Sequence, residues 1–82
     1  MQTFEIKESL LTDPQIMRKI IASTKKWINA NGYENRIFFH YVRGMYHFTN
    51  CTNYMLSAKD ILENATGLEF IYYNASMAKL KK

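Results

Sequence analysis

Three side chains of this 82-residue chain have the chemistry to act on a ligand at short range: His40, His47 and Cys51. No other histidine or cysteine is present. Imidazole and thiolate both bind zinc, but a structural zinc site takes four protein ligands and a catalytic one three. A thiol nucleophile needs a neighbouring base or cation to hold it as thiolate. Cys51 falls beyond the segment that carries the histidines, and no acidic residue lies near it in sequence. We therefore expect no metal site and no cofactor. Together with Arg43, the two histidines are the one group from which a small nuclease could be built. Paired catalytic carboxylates, a Gly-rich phosphate loop and a nucleophile elbow are missing from the sequence. Asp13 reads as a helix cap and Glu34 as a loop residue. The expectation is a protein that binds rather than catalyses.

The histidines sit in an aromatic stretch from Arg36 to Tyr54. Two β-like runs, Ile37–Val42 and Met45–Thr49, flank Arg43-Gly44, and a two-residue turn there makes a hairpin. Its register sets Val42 against Met45, His40 against His47 and Phe38 against Thr49. Two such cross-strand side chains approach to roughly 5 Å. The other face carries Ile37, Phe39, Tyr41, Tyr46 and Phe48. This set is continuously apolar and is assigned to the core. A slip of one residue would exchange the faces.

The remaining elements follow from periodicity. Residues 3–10 alternate, with Phe4 and Ile6 on one side, as in a half-buried strand. Thr12 or Asp13 can cap a helix that has Pro14 in its first turn and Gly32 at its end. Ile16, Met17, Ile20, Ile21, Trp27 and Ile28 share one arc of it, and Arg18, Lys19, Lys25 and Lys26 the opposite side. Lys25 and Lys26 are placed in its last turn. Ser57 with Asp60 opens a second helix that Gly67 closes. Leu68–Tyr73 reads as a last strand. Residues 1–74 form one domain, and 75–82 a basic tail, frayed or a marginal helical turn. The order βαββαβ gives a two-layer α+β, ferredoxin-like fold, with a four-stranded antiparallel sheet and two helices on one face. A less regular sheet under one long helix is the alternative.

In such a fold the sheet face away from the helices is open. It would show Glu5, Lys7, Phe38, His40, Met45, His47, Ile71 and Tyr73, a ring-bearing surface suited to stacking on bases or filling a protein interface. Coverage by a dimer mate or by the tail is the structural alternative. Arg43-Gly44-Met45-Tyr46-His47-Phe48 also resembles, locally, the third-strand signature of the RNA-recognition motif family: a basic residue, Gly, then alternating aromatics. Arg43 and Gly44 match. Met45 replaces an aromatic and Tyr46 a small residue, so no binding residues are carried over.

Composition sets the class. The chain is 48% hydrophobic and 15% aromatic, unlike a disordered segment. It lacks an apolar run of about 20 residues and a signal-like start, which points to a cytoplasmic protein without membrane contact. The net charge is +4, and Arg18, Lys19, Lys25, Lys26, Arg36 and Arg43 cluster in residues 16–43 against Glu34 alone. That asymmetry suits an acidic partner, although Arg18, Lys19, Lys25 and Lys26 also make an ordinary solvated helix face. Size and chemistry are those of small inhibitors carried by phages and other mobile elements, of the anti-restriction and anti-CRISPR type. The expected partner is a protein or nucleoprotein complex that handles nucleic acid. Direct binding of RNA or DNA through the open sheet and the basic helix is the alternative.

Overall fold

The computed structural model describes residues 14–81. The strand expected at 3–10 and the cap at Thr12 or Asp13 lie outside them. Helix α1 spans Pro14–Ala30. Ile20, Thr24 and Ile28 recur along its buried side, and Ile16, Ile21 and Trp27 pack around them. Thr24, the one buried polar side chain described, spends its hydroxyl within the helix by donating to the Ile20 carbonyl at 2.7 Å. The helix ends in a Schellman motif. Gly32 takes φ 80°, its N–H donates to the Asn29 carbonyl, and the Tyr33 N–H donates to that of Ile28. Tyr33 then stacks on Trp27, ring centroids 6.3 Å apart. The last turn holds no basic residue. Lys25 and Lys26 lie ahead of that turn, because the helix runs on to Ala30.

Strands β1 (Phe38–Val42) and β2 (Met45–Thr49) form the expected hairpin in the expected register. Arg43 and Gly44 have φ of 51° and 84°, both left-handed. A two-residue turn of type I′ requires this, and it matches the twist of the strands. A short 3₁₀ turn at Cys51–Tyr54 leads to α2, Ala58–Thr66. The Ser57 hydroxyl caps that helix by accepting from the Asp60 N–H at 3.1 Å, and Gly67 ends it at φ 75°.

Strand β3 runs Phe70–Asn74 and β4 runs Met77–Leu80. The basic tail expected at 75–82 is therefore corrected: half of it is a sheet strand. Ala78 and Leu80 point into the core, while Lys79 between them stays exposed. That alternation is a strand's, and the density of lysines masked it. The turn before β4 is pinned at three points. The Ser76 N–H donates to the Asn74 side chain at 2.8 Å, the Ala58 N–H donates to the Ala75 carbonyl, and the Phe48 N–H donates to that of Ser76.

The sheet order is β1-β2-β4-β3, antiparallel throughout. β2 and β3 are thus parallel, joined through α2, with β4 inserted between them as in a split βαβ unit. The result is the two-layer α+β class expected, four strands and two helices, consistent with a ferredoxin-like fold. Among the described residues the chain runs αββαββ. Read as a cycle starting from β4, this is the order βαββαβ. Tyr46, Phe48, Phe70, Ala78 and Leu80 from the sheet meet Ile20 and Ile28 of α1 and Ile61 and Leu62 of α2 in one core.

Candidate interaction surface

The helices cover one face of the sheet, and pleating sends alternate residues to the other. Register fixes which residues share that outer face. One row runs Val42, Met45, Lys79, Ile71, and the next runs His40, His47, Met77, Asn74. Phe38 and Thr49 make a third, partial row. A bulge opposes Tyr73 and Asn74 to Met77, which brings Tyr73 beside the second row. Phe38, His40, Met45, His47 and Tyr73 are therefore brought together. Met77 and Lys79 join them, unforeseen because they belong to the segment read as a tail. Alternation with Ala78 and Leu80 was the signal that could have found them.

The imidazoles of His40 and His47 stack with centroids 4.8 Å apart and planes 7° from parallel. Large apolar groups surround them in the open: Phe38 is 53% exposed, Ile71 41% and Tyr73 64%. None of the four strands contains an acidic residue. Arg43 stands in the turn at one end, beside the Lys79 row. Glu69, next to β3, is neutralised by Lys81 at 3.1 Å. The surface is thus aromatic and methionine-bearing, with positive charge at its rim.

The basic side of α1 is a separate feature. Arg18, Lys19, Lys25 and Lys26 are all exposed, on a helix that packs against the opposite face of the sheet. Lys25 approaches the β1 edge. It lines a groove of about 210 Å³ with Ile37, Phe38 and Phe39 at the β1 edge. Lys19 borders another hollow with Ile16, Gly67 and Leu68.

Cys51 is 1% exposed, and its thiol donates to the Ala75 carbonyl at 3.5 Å. Burial raises its pKa, against the opposing pull of the backbone amides of Cys51 and Thr52. That disfavours the thiolate a nucleophile requires. Tyr46, fully buried under the hairpin, is likewise held protonated, first by burial and then by the neighbouring Tyr41. Among the described residues no group of three or more His, Cys, Asp or Glu side chains is placed to hold a metal ion. Nor is any helix among them long and apolar enough to cross a membrane. No protein-family model matches the chain, and comparisons with curated proteins and with solved structures give no match.

Proposed function

We propose that this is a small non-catalytic binding protein whose contact surface is the outer sheet face, and that its partner is a protein of a nucleic-acid-handling complex. The observation that carries the reading is the make-up of that face. Aromatic residues, Met and Arg are enriched at protein interfaces, and acidic residues are depleted at their cores. The face shows Phe38, Tyr73, Ile71, Met45 and Met77 around the stacked histidines, with no carboxylate in the described strands. Its cationic rim favours an acidic partner surface. A small inhibitor of the kind carried by phages and other mobile elements would act this way, by occupying the surface of a larger machine.

A second reading has its own support. Flat rings flanked by Arg43 and Lys79 also suit a single nucleic-acid strand, with bases stacked and phosphates at the rim. One experiment separates the two. The protein and a Phe38→Asp plus Tyr73→Asp variant are used as bait in lysate, titrated with labelled RNA and DNA strands at low salt, and sedimented across a concentration range. The protein reading expects one assembly retained by the parent chain and lost by the variant, with equal thermal stability. Strand binding lost by the variant supports the second reading, and concentration-dependent dimers that the variant abolishes would assign the face to self-association. Variant and parent behaving alike in all three would overturn the choice of face.

A further inference from the structure

A cleft of about 510 Å³ opens between the β1–β2 turn and the end of β4, lined by Met17, Tyr41, Arg43, Tyr46, Ile71, Lys79, Leu80 and Lys81 among others. β2 pairs with β4 only as far as Met45 and Lys79, so the chain beyond Lys79 leaves a gap beside the turn. Its lining divides by chemistry. The floor is aromatic and aliphatic: Tyr41 and Tyr46 pack at 4.7 Å between centroids, Met17 and Leu80 line the same cleft, and Ile71 lines it from the outer face beside Lys79. The mouth holds three cations, Arg43, Lys79 and Lys81, and no carboxylate among the described residues lines the cleft. Lys81 is tethered to Glu69 at 3.1 Å. Arg43 and Lys79 have no ion-pair partner among the described residues.

The turn itself is built to present Arg43. A left-handed φ of 51° is unfavourable for arginine and is normally given to Asn, Asp or Gly in this turn. The Tyr41 hydroxyl lies close to Gly44 beside it, 4.0 Å from where a Cβ would stand. Tyr41 and Arg43 both line the cleft.

We propose that this cleft binds a nucleoside phosphate. The forked guanidinium of Arg43 and the ammonium of Lys79 take the phosphate, and Tyr41, with Met17 and Leu80 along the same cleft, takes the base. A volume of this size is that of a small-molecule site. Inorganic phosphate alone would leave the apolar floor unused, and an uncharged nucleoside would leave the cations unused. The phosphate could arrive as a free mononucleotide or as the end of a strand. The cleft shares Arg43, Lys79 and Ile71 with the rim of the outer face, but Phe38 and Tyr73 take no part in it, so substitutions there separate the two sites.

The test is a titration of the protein with AMP and UMP, followed by amide NMR, with inorganic phosphate and the two nucleosides as controls. Arg43→Gln, Lys79→Gln and the turn-compatible Arg43→Asn are compared with the parent chain, folding being checked by thermal unfolding. Expected are saturable shifts at Tyr41, Ile71 and Leu80, with affinity falling by roughly tenfold or more in each folded variant and weaker binding of every control. A 5′-phosphorylated dinucleotide that binds much more tightly than AMP, through the same amides, assigns the site to strand ends; equal affinity assigns it to free nucleotides. The proposal fails if no mononucleotide saturates those amides, if phosphate alone binds as well, or if Arg43→Asn leaves affinity unchanged. Phe38→Asp plus Tyr73→Asp should leave this titration intact, so either site can fail without the other.

Discussion

His40 and His47 lie directly opposite each other on β1 and β2, with their rings parallel within 7°. Cross-strand pairs of this kind contribute roughly 0.2–1 kcal/mol. A double-mutant cycle with His40→Ala and His47→Ala should give a coupling in that range by urea unfolding. The same double variant should lose the outer-face partner. Coupling near zero would mean that the rings stack without stabilising the hairpin.

Arg43→Asn should raise stability. Asn tolerates the left-handed conformation that Arg43 now adopts at φ 51°, so the turn is relieved by about 0.5–1 kcal/mol. Denaturant midpoints measure this, and a loss of stability would show that Arg43 makes compensating contacts. Together with the expected loss of nucleotide affinity, the change would mark Arg43 as a residue kept at a stability cost.

Glu63 gives a pH dependence. Its carboxylate accepts from the Phe70 N–H at 2.9 Å and from Lys59 at 3.0 Å, tying α2 to the start of β3. The Phe70 amide first, and then Lys59, hold its pKa below the usual carboxylate range. A carboxylate depressed in the folded state stabilises fully above its unfolded value of about 4.3 and loses that effect as pH falls through the folded value. Glu63→Gln should therefore unfold at lower denaturant than the parent chain at pH 7, and the gap should narrow as pH falls below the unfolded value. A gap of constant size across that range would assign the effect to geometry rather than charge.

Removing residues 77–82 should abolish cooperative unfolding. Ala78 is fully buried and Leu80 is 6% exposed, and without β4 the partner of β3 is gone. Circular dichroism during heating checks this. A truncated chain that still melts sharply would show that the remaining strands re-pair.

Much of this architecture could be read in the residues. Tight turns and caps announce themselves locally: Arg43-Gly44 fixed the hairpin register, Ser57 with Asp60 the start of α2, and Gly32 and Gly67 the helix ends. Met77–Leu80 escaped because its pattern is only four residues long, with lysines next to its apolar positions. Only the long-range pairing with β2 and β3 gives it meaning, and no local rule encodes that. The outer face was legible as far as the hairpin reached. Lys79, Met77 and the cleft beside Arg43 were not, since they exist only once β4 is in place.

The central position of β4 also governs how the fold is reached. The sheet is two hairpins, each closed by a two-residue turn, and such units form in microseconds. They are joined by three residue pairs: Met45–Lys79, Tyr46–Ala78 and His47–Met77. Those partners are about thirty positions apart, with α2 between them. Closing that seam is the non-local event, and non-local closure sets folding rates. Ala78→Gly should shift the folding arm of a chevron plot and Phe38→Ala should not, because the slow step is the docking of two finished hairpins.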